Sequence, residues 1–435
     1  MKKVIIVLIS FITLFTITGC SNSVEYDEVT LQLKAKELVS ELVIDNYDST
    51  VDLFNKQMQK LISKDELKQI IDKEKENLGA HIEHHSVEGE VDGKYYRTYT
   101  IEKYENSGFQ YNLTFDSNNE IAGISIKPVS IPEVSDLFTE ESVNIGEYNL
   151  DGKLTLPKNV VNPKVVLLVQ GSGATDMNEQ IYLNTPLKDI AYALAEEGIA
   201  SLRYNKRFYQ YNNLGQVNHS IDEEILDDVN AAIDFLETNN KVDSDNIYVL
   251  GHSQGAMLTP KIATDNTSVK GIISMAGSLR ELYEISYDQN KAIEANLDNS
   301  NYTEVEKEII RNQMLQVEKD IITLRGDVSN LKDNNYYMGF TGKYQKTVKE
   351  YAGKNYIEEL NIPILVLQGT SDFQITVEKD YQSWLDVSKD NISYKLYDGL
   401  NHLMMKSSGI NSNEDYKKKQ TVDTNVLTDI INFIK

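Results

Sequence analysis

The chain of 435 residues holds a single cysteine, Cys20, which excludes an internal disulfide. Cations are in short supply: 43 lysines and arginines stand against 67 aspartates and glutamates, a formal charge of -24. So acidic a surface argues against nucleic acid and anionic lipid headgroups as partners. Long apolar runs are missing apart from Val4 to Ile17, which is too short for a comfortable membrane span. No internal repeat or low-complexity tract stands out. Histidine is rare enough to enumerate: His81, His84, His85, His219, His252 and His402. Against these shortages, 40% hydrophobic residues suffice for a sizeable core, and the length suggests roughly two to three domains.

What is present is Gly251-His252-Ser253-Gln254-Gly255, directly after the apolar run Ile247 to Leu250 and ahead of a helical pattern. That context suits a strand-to-helix turn carrying a nucleophile, which makes Ser253 the candidate. A serine on such a turn holds sparsely populated backbone angles, and glycine at 251 and 255 removes side chains that would collide. The hydroxyl then needs a base, and the base a group that orients it. His81, His84 and His85 fall in a separate N-terminal region, and the ring of His252 is expected to point away from its neighbour's hydroxyl. His402 lies in Asp398-Gly399-Leu400-Asn401-His402, after the alternating run Ser393 to Tyr397, so a loop at a strand's carboxyl end presents it as the candidate base. His219, in a polar loop ahead of the nucleophile, is the alternative. Ile362 to Leu367 reads as a buried parallel strand running into Gln368-Gly369-Thr370-Ser371-Asp372, which makes Asp372 the candidate acid. Asp398 is its rival, although it more naturally shapes a turn with Gly399. Asp227 and Asp228, on a predicted helix, read as solvated charges. The order Ser253, Asp372, His402 matches one of the three common triad orders.

Residues from about 135 to the end resemble the α/β-hydrolases, close to bacterial serine esterases of the dienelactone-hydrolase-like and serine-aminopeptidase-like groups. The resemblance implies an α/β fold: a mostly parallel sheet covered by helices on both sides, with a helical cap. Val165 to Val169 runs into Gln170-Gly171-Ser172-Gly173, where the family usually carries His-Gly. On this resemblance the oxyanion hole consists of the backbone N–H groups of Ser172 and Gln254, and Gln170 leaves that chemistry intact because the donors are amides. Ser201 to Arg207 is similar to the family's Asp-x-Arg-Gly loop, with Asn205 and Phe208 replacing Asp and Gly. Arg207 is accordingly read as a structural or rim arginine, or else as an anion contact for the substrate. Asp189 to Glu197 and Ile221 to Glu237 read as amphipathic helices, Val269 to Ala276 as a buried strand, and Val143 to Tyr148 and Gly152 to Leu156 as antiparallel edge strands. The insertion from about 279 to 357 exceeds an ordinary connection and reads as the cap. Thr303 and Glu306 form a capping box opening a helix to Arg325, with Val305, Ile309, Met314, Val317, Ile321 and Leu324 along one face. Tyr336, Tyr337, Phe340 and Tyr344 either line an acyl pocket or simply pack.

At the other end, Lys2, Lys3, the run to Ile17 and Thr18-Gly19-Cys20 resemble a bacterial lipoprotein signal over residues 1–19. This implies cleavage before Cys20, diacylglycerol on its thiol, and an exported chain tethered to the extracytoplasmic face of the membrane. Residues 20–130 read as a separate α+β unit. Helical patterns run through Glu28 to Val43, Ser49 to Leu61 and Ser63 to Leu78; strand-like ones follow at Ile82 to Val87, Tyr95 to Tyr104, Phe109 to Asp116 and Ile121 to Lys127. The pattern resembles the small cystatin- or NTF2-like domain that precedes some bacterial α/β-hydrolases. His81, Glu83 and His85 share one face of a regular strand, a spacing that suits metal ligands, but no paired ligand cluster accompanies them and no metal site is expected. Val129 to Asp136, with Pro132, reads as the linker into a hydrolase domain over 131–435. The resemblance as a whole implies a serine hydrolase that cleaves small-molecule carboxylic esters through an acyl-enzyme, without metal or organic cofactor. A serine aminopeptidase or thioesterase on the same site, or a non-catalytic surface binding lipoprotein, are the alternatives.

Overall fold

The structure, a computed structural model, describes residues 26–129, 131, 135–211, 219–297, 303–410 and 412–435; Cys20 and the segment before it lie outside the described residues. The chain divides into two compact units between Val129 and Ser130.

In the first unit the helix Glu28–Val43 buries Leu31, Ala35, Leu38, Val39 and Leu42 along one face. A second helix, Lys64–Lys75, opens on a capping box in which Ser63 and Glu66 satisfy each other's backbone N–H. Four strands follow as an antiparallel meander: β1 (His81–Asp92), β2 (Tyr95–Tyr104), β3 (Gly108–Phe115) and β4 (Ile121–Val129). Alternate residues of β2 and β3 are buried, Tyr96, Tyr104, Phe109, Tyr111 and Phe115 supplying much of the core. The helix expected from Ser49 to Leu61 is broken into two short turns, Asp48–Val51 and Met58–Leu61. Between them the backbone pairs with β4, Ile121 N–H donating to Leu53 O and Asn55 N–H to Ile121 O at 2.9 Å each, and this long-range pairing overrides the local pattern.

The second unit is built on an eight-stranded sheet. β5 (Phe138–Ile145) and β6 (Leu150–Pro157) form the antiparallel edge, and β7 (Val165–Val169), β8 (Ala200–Tyr204), β9 (Ile247–His252) and β10 (Val269–Met275) follow. A two-stranded hairpin in the insertion, β11 (Tyr336–Tyr337) with β12 (Phe340–Thr341), precedes the last two sheet strands, β13 (Ile364–Gly369) and β14 (Ile392–Tyr397). The spatial order is β14-β13-β10-β9-β7-β8-β6-β5, parallel from β14 to β8. The central strands are apolar throughout because each face meets its own layer. Val165, Leu167 and Val169 pack with helices Asp227–Glu237 and Gln254–Asp265 on one side; Val166 and Leu168 pack with Pro186–Glu196 and Thr424–Ile434 on the other. Strand order reverses at β7, so the loops after β7 and β9 flank a crevice at the carboxyl ends of the strands, where ligands bind in such sheets.

The insertion after β10 carries helices Leu282–Ala295, Glu304–Arg325 and Gly342–Glu350. The Thr303–Glu306 capping box is present. Only the second half of the expected apolar face is buried, at Met314, Val317, Ile321 and Leu324; Val305 and Ile309 are 68% and 51% exposed, because that end of the helix has no packing partner for them among the described residues.

Candidate active site

β9 ends at His252 and the next helix begins at Gln254, so Ser253 carries the reversal at φ 52 and ψ -118. That positive φ is costly for a side chain with a Cβ and is held by tertiary bonds. Ser253 N–H donates to Met275 O, and its carbonyl accepts from Met257 N–H, both at 3.0 Å. The flanking glycines are steric necessities. A Cβ at 251 would lie 2.4 Å from the Gly255 carbonyl carbon, and one at 255 would lie 2.5 Å from Gln170 O.

Asp372 and His402 reach the same rim from the loops after β13 and β14. The Asp372 carboxylate is buried and fully engaged: one oxygen accepts from Gln374 and Ile375 N–H at 2.8 and 2.9 Å, the other from Gln368 Nε2 at 3.2 Å and from His402 Nδ1 at 2.7 Å. A carboxylate accepts, so Nδ1 is the nitrogen that donates, and in the neutral tautomer this contact selects, Nε2 is the nitrogen with the lone pair. Asn401 shapes the histidine loop, its Oδ1 accepting from Leu403 and Met405 N–H while its Nδ2 donates to Asp415. Among the described residues no hydrogen bond joins Ser253 Oγ to His402. His252, at the end of β9, ties the serine turn to the histidine loop: its ring centroid lies 4.7 Å from that of His402 and its Nε2 donates to the His402 carbonyl at 2.9 Å.

The loop after β7 is gripped on both sides. Gly171 N–H donates to Glu179 Oε1 at 2.7 Å, Gly171 O accepts from Lys206 Nζ at 2.5 Å, and Gly173 N–H donates to Glu224 Oε1 at 2.8 Å. Between these tethered glycines the Ser172 N–H has no acceptor among the described residues, and neither does the Gln254 N–H at the start of its helix. Two unspent amide donors flanking a strained serine suit a developing oxyanion.

Several roles escaped the sequence. Both nitrogens of His252 meet acceptors, Nδ1 reaching Glu179 Oε2 at 2.9 Å, so both carry protons and the ring is no base for Ser253. Burial opposes that charge, but Glu179 and the His402 carbonyl outweigh it and raise the His252 pKa. Asp228 is not a solvated charge: it is buried and clamps Arg207 at 2.7–3.1 Å, which gives Arg207 the structural role and no free edge for substrate. Asp398 accepts from Thr370 Oγ1 at 3.2 Å and forms the turn with Gly399. His219 lies edge-on to Phe208 and Tyr344. Of the cap aromatics, Tyr336 is exposed and Phe340 stacks on Tyr344, whose hydroxyl reaches Gln254 and Glu224. In the first unit, bulges at 81–83 and 84–86 break the strand alternation. They bring His81 and His84, not His85, to the buried Glu102 at 2.8 Å each, and the described residues contain no group of three side chains able to hold a metal ion.

A visible signal for His252 is a bulky titratable residue on the elbow itself. Glu179, Lys206 and Glu224 left none, since their partners are remote in sequence.

Residues 185–408, more than half of the chain, match the family model described as serine aminopeptidase, S33. Residues 35–124 match one described as a protein of unknown function, DUF3887. The chain is similar to Esterase EstD of Thermotoga maritima, 29% identical over 399 residues that cover 90% of this chain and 92% of that protein. Among solved structures, an esterase of Pyrococcus furiosus aligns with a TM-score of 0.42 at 14% identity, over 71% of this chain and 97% of that one. Est1E of Butyrivibrio proteoclasticus aligns with 0.40 at 16%, over 61% and 90%. With more than half its length matching that family model, the chain belongs to the serine aminopeptidase S33 family and is a hydrolase of the α/β fold.

Proposed function

We propose that this chain is a serine esterase acting through Ser253, His402 and Asp372, exported and held at the membrane by a lipidated Cys20. The observation that carries the reading is the Asp372–His402 pair at 2.7 Å, at the same sheet edge as a serine strained to φ 52. His402 Nε2 takes the Ser253 proton as Oγ attacks the ester carbonyl. The oxyanion is met by the Ser172 and Gln254 amides, each worth on the order of 3 kcal/mol of barrier. His402 then protonates the leaving alkoxide and deprotonates the water that hydrolyses the acyl-enzyme. The nucleophile–base hydrogen bond, absent among the described residues, is one that often tightens only in the substrate complex. Ester preference draws support from the similarity to EstD, whose printed name is that of an esterase and whose match spans both units. The family's description favours a second reading, cleavage of aminoacyl amides on the same site.

Wild type should hydrolyse short-chain aryl esters faster than aminoacyl arylamides and take a fluorophosphonate label on Ser253. Ser253→Ala should lose both turnover and label while its circular dichroism stays unchanged. Turnover persisting in that variant would refute the assignment. Cys20→Ala should move the protein from the detergent phase to the aqueous phase in a phase-partition assay, and an unchanged distribution would remove the lipid anchor from the proposal.

A further inference from the structure

The two amides assigned to the oxyanion hole sit on different loops, yet one buried chain of polar side chains runs between them. At one end Lys206 Nζ holds Gly171 O at 2.5 Å. The peptide between residues 171 and 172 is planar and trans, so fixing its carbonyl on one side aims the Ser172 N–H to the other. Lys206 also meets Glu224 Oε1 at 3.3 Å, and the same oxygen receives Gly173 N–H. Glu224 Oε2 accepts from the Tyr344 hydroxyl at 2.6 Å, and that hydroxyl accepts from Gln254 Nε2 at 2.7 Å. The far end of the chain is thus the side chain of the residue that supplies the second amide. Lys206, Glu224, Gln254 and Tyr344 are all buried, and Tyr344 is the cap's contribution. Phe340 stacks on its ring at 4.7 Å. Glu224 lies in a widened π-type turn, Asp222–Leu226, a rare conformation that occurs often at functional sites.

We propose that Lys206, Glu224 and Tyr344 are positioning residues that aim both oxyanion donors and couple their aim to the seating of the cap. The inference rests on the acyl-transfer reading of the site. Burial alone would make Glu224 resist ionisation, but Lys206, Tyr344 and the Gly173 amide more than offset it and hold its pKa low, so the link is charged at neutral pH. Cutting the chain at the cap should misdirect the amides without touching Ser253, Asp372 or His402.

The test compares wild type with Tyr344→Phe, which keeps the ring, and Glu224→Gln, which keeps one of the two acceptor oxygens and removes the charge. Each is assayed with a short-chain aryl ester and with an aryl trifluoromethyl ketone. Ser253 Oγ adds to the ketone carbon, its proton passes to His402, and the resulting hemiketal oxyanion needs both amides. Expected is a fall in kcat on the order of 10- to 100-fold, smaller than deletion of a donor, with KM within about two-fold. The ketone Ki should rise in proportion as kcat falls, a correlation that a merely structural lesion would not produce. If Glu224→Gln does not fold, Tyr344→Phe and Gln254→Met, which strands no charge, carry the test. Folded variants with unchanged kcat and Ki, or a lower kcat with unchanged Ki, would overturn the inference. A wild-type protein that neither turns over the ester nor binds the ketone would overturn the acyl-transfer reading, and this inference with it.

Discussion

His252 illustrates how one side chain can tie a site together without acting on substrate. Its ring spans from Glu179, which also holds the Gly171 amide, to the carbonyl of His402, so it joins the oxyanion loop to the loop of the candidate base. The groups facing it are Glu179, the His402 carbonyl and ring, and, further off, Asp372. Burial lowers its pKa, these partners raise it, and the net value lies above the usual 6.5. A raised histidine pKa contributes stability in full below the unfolded value and loses it as pH climbs through the folded one. Glu179→Gln keeps the acceptor for Gly171 and removes the charge that sustains the imidazolium. The urea midpoint of wild type should therefore exceed that of Glu179→Gln by most near pH 6, and the gap should narrow toward pH 9. A gap that stays constant or widens over that range would mean the ring is neutral in the folded protein.

At the scale of elements, the sheet's antiparallel edge is locked to its parallel core by a buried charge. Arg203 on β8 is almost fully buried and bonds Glu140 on β5, across β6 between them, with Asn178 as a further acceptor. Its Nε has no partner, so Glu140 is its one carboxylate contact close enough to count as an ion pair among the described residues. Glu140→Ala would leave a guanidinium stranded in the core and should destabilise the second unit by about 3–5 kcal/mol, read as a lowered urea midpoint. A loss below about 1 kcal/mol would mean that water reaches the arginine. None of this pairing was legible in the chain, and the reason is general. The central strands were readable because covering both faces of a strand demands an unbroken apolar run, as at Val165 to Val169 and Ile364 to Leu367. The elbow was readable because a positive φ and two steric collisions restrict residue choice locally. Asp228 was misjudged because its partner, Arg207, lies 21 residues away and no helical period reveals it. The Ser49 to Leu61 pattern failed for the same reason, its backbone being claimed by β4. The exposed Val305 and Ile309 mark the converse error, an apolar period that continues where packing stops.

For the whole molecule the governing quantity is an excess of 24 negative charges. Exposed ion pairs such as Lys64–Asp48 and Lys435–Glu197 contribute about 0–1 kcal/mol each and weaken with salt. The unmatched carboxylates act oppositely, because their mutual repulsion is relieved by the same screening. With acids outnumbering bases 67 to 43, the repulsive term dominates, and the thermal midpoint at pH 7 should rise as NaCl increases from about 10 mM to about 200 mM, where the screening length drops from about 30 Å to below 10 Å. The same field acts on substrates. An ester bearing a carboxylate on its acyl chain approaches against the potential at low salt, whereas its uncharged methyl-capped counterpart does not. The ratio of kcat/KM for the charged ester to that for the neutral one should therefore climb over this salt range, with kcat for each nearly constant. A ratio that falls with salt would mean that a local cationic patch at the site mouth outweighs the global charge and that the enzyme is built to receive anionic esters.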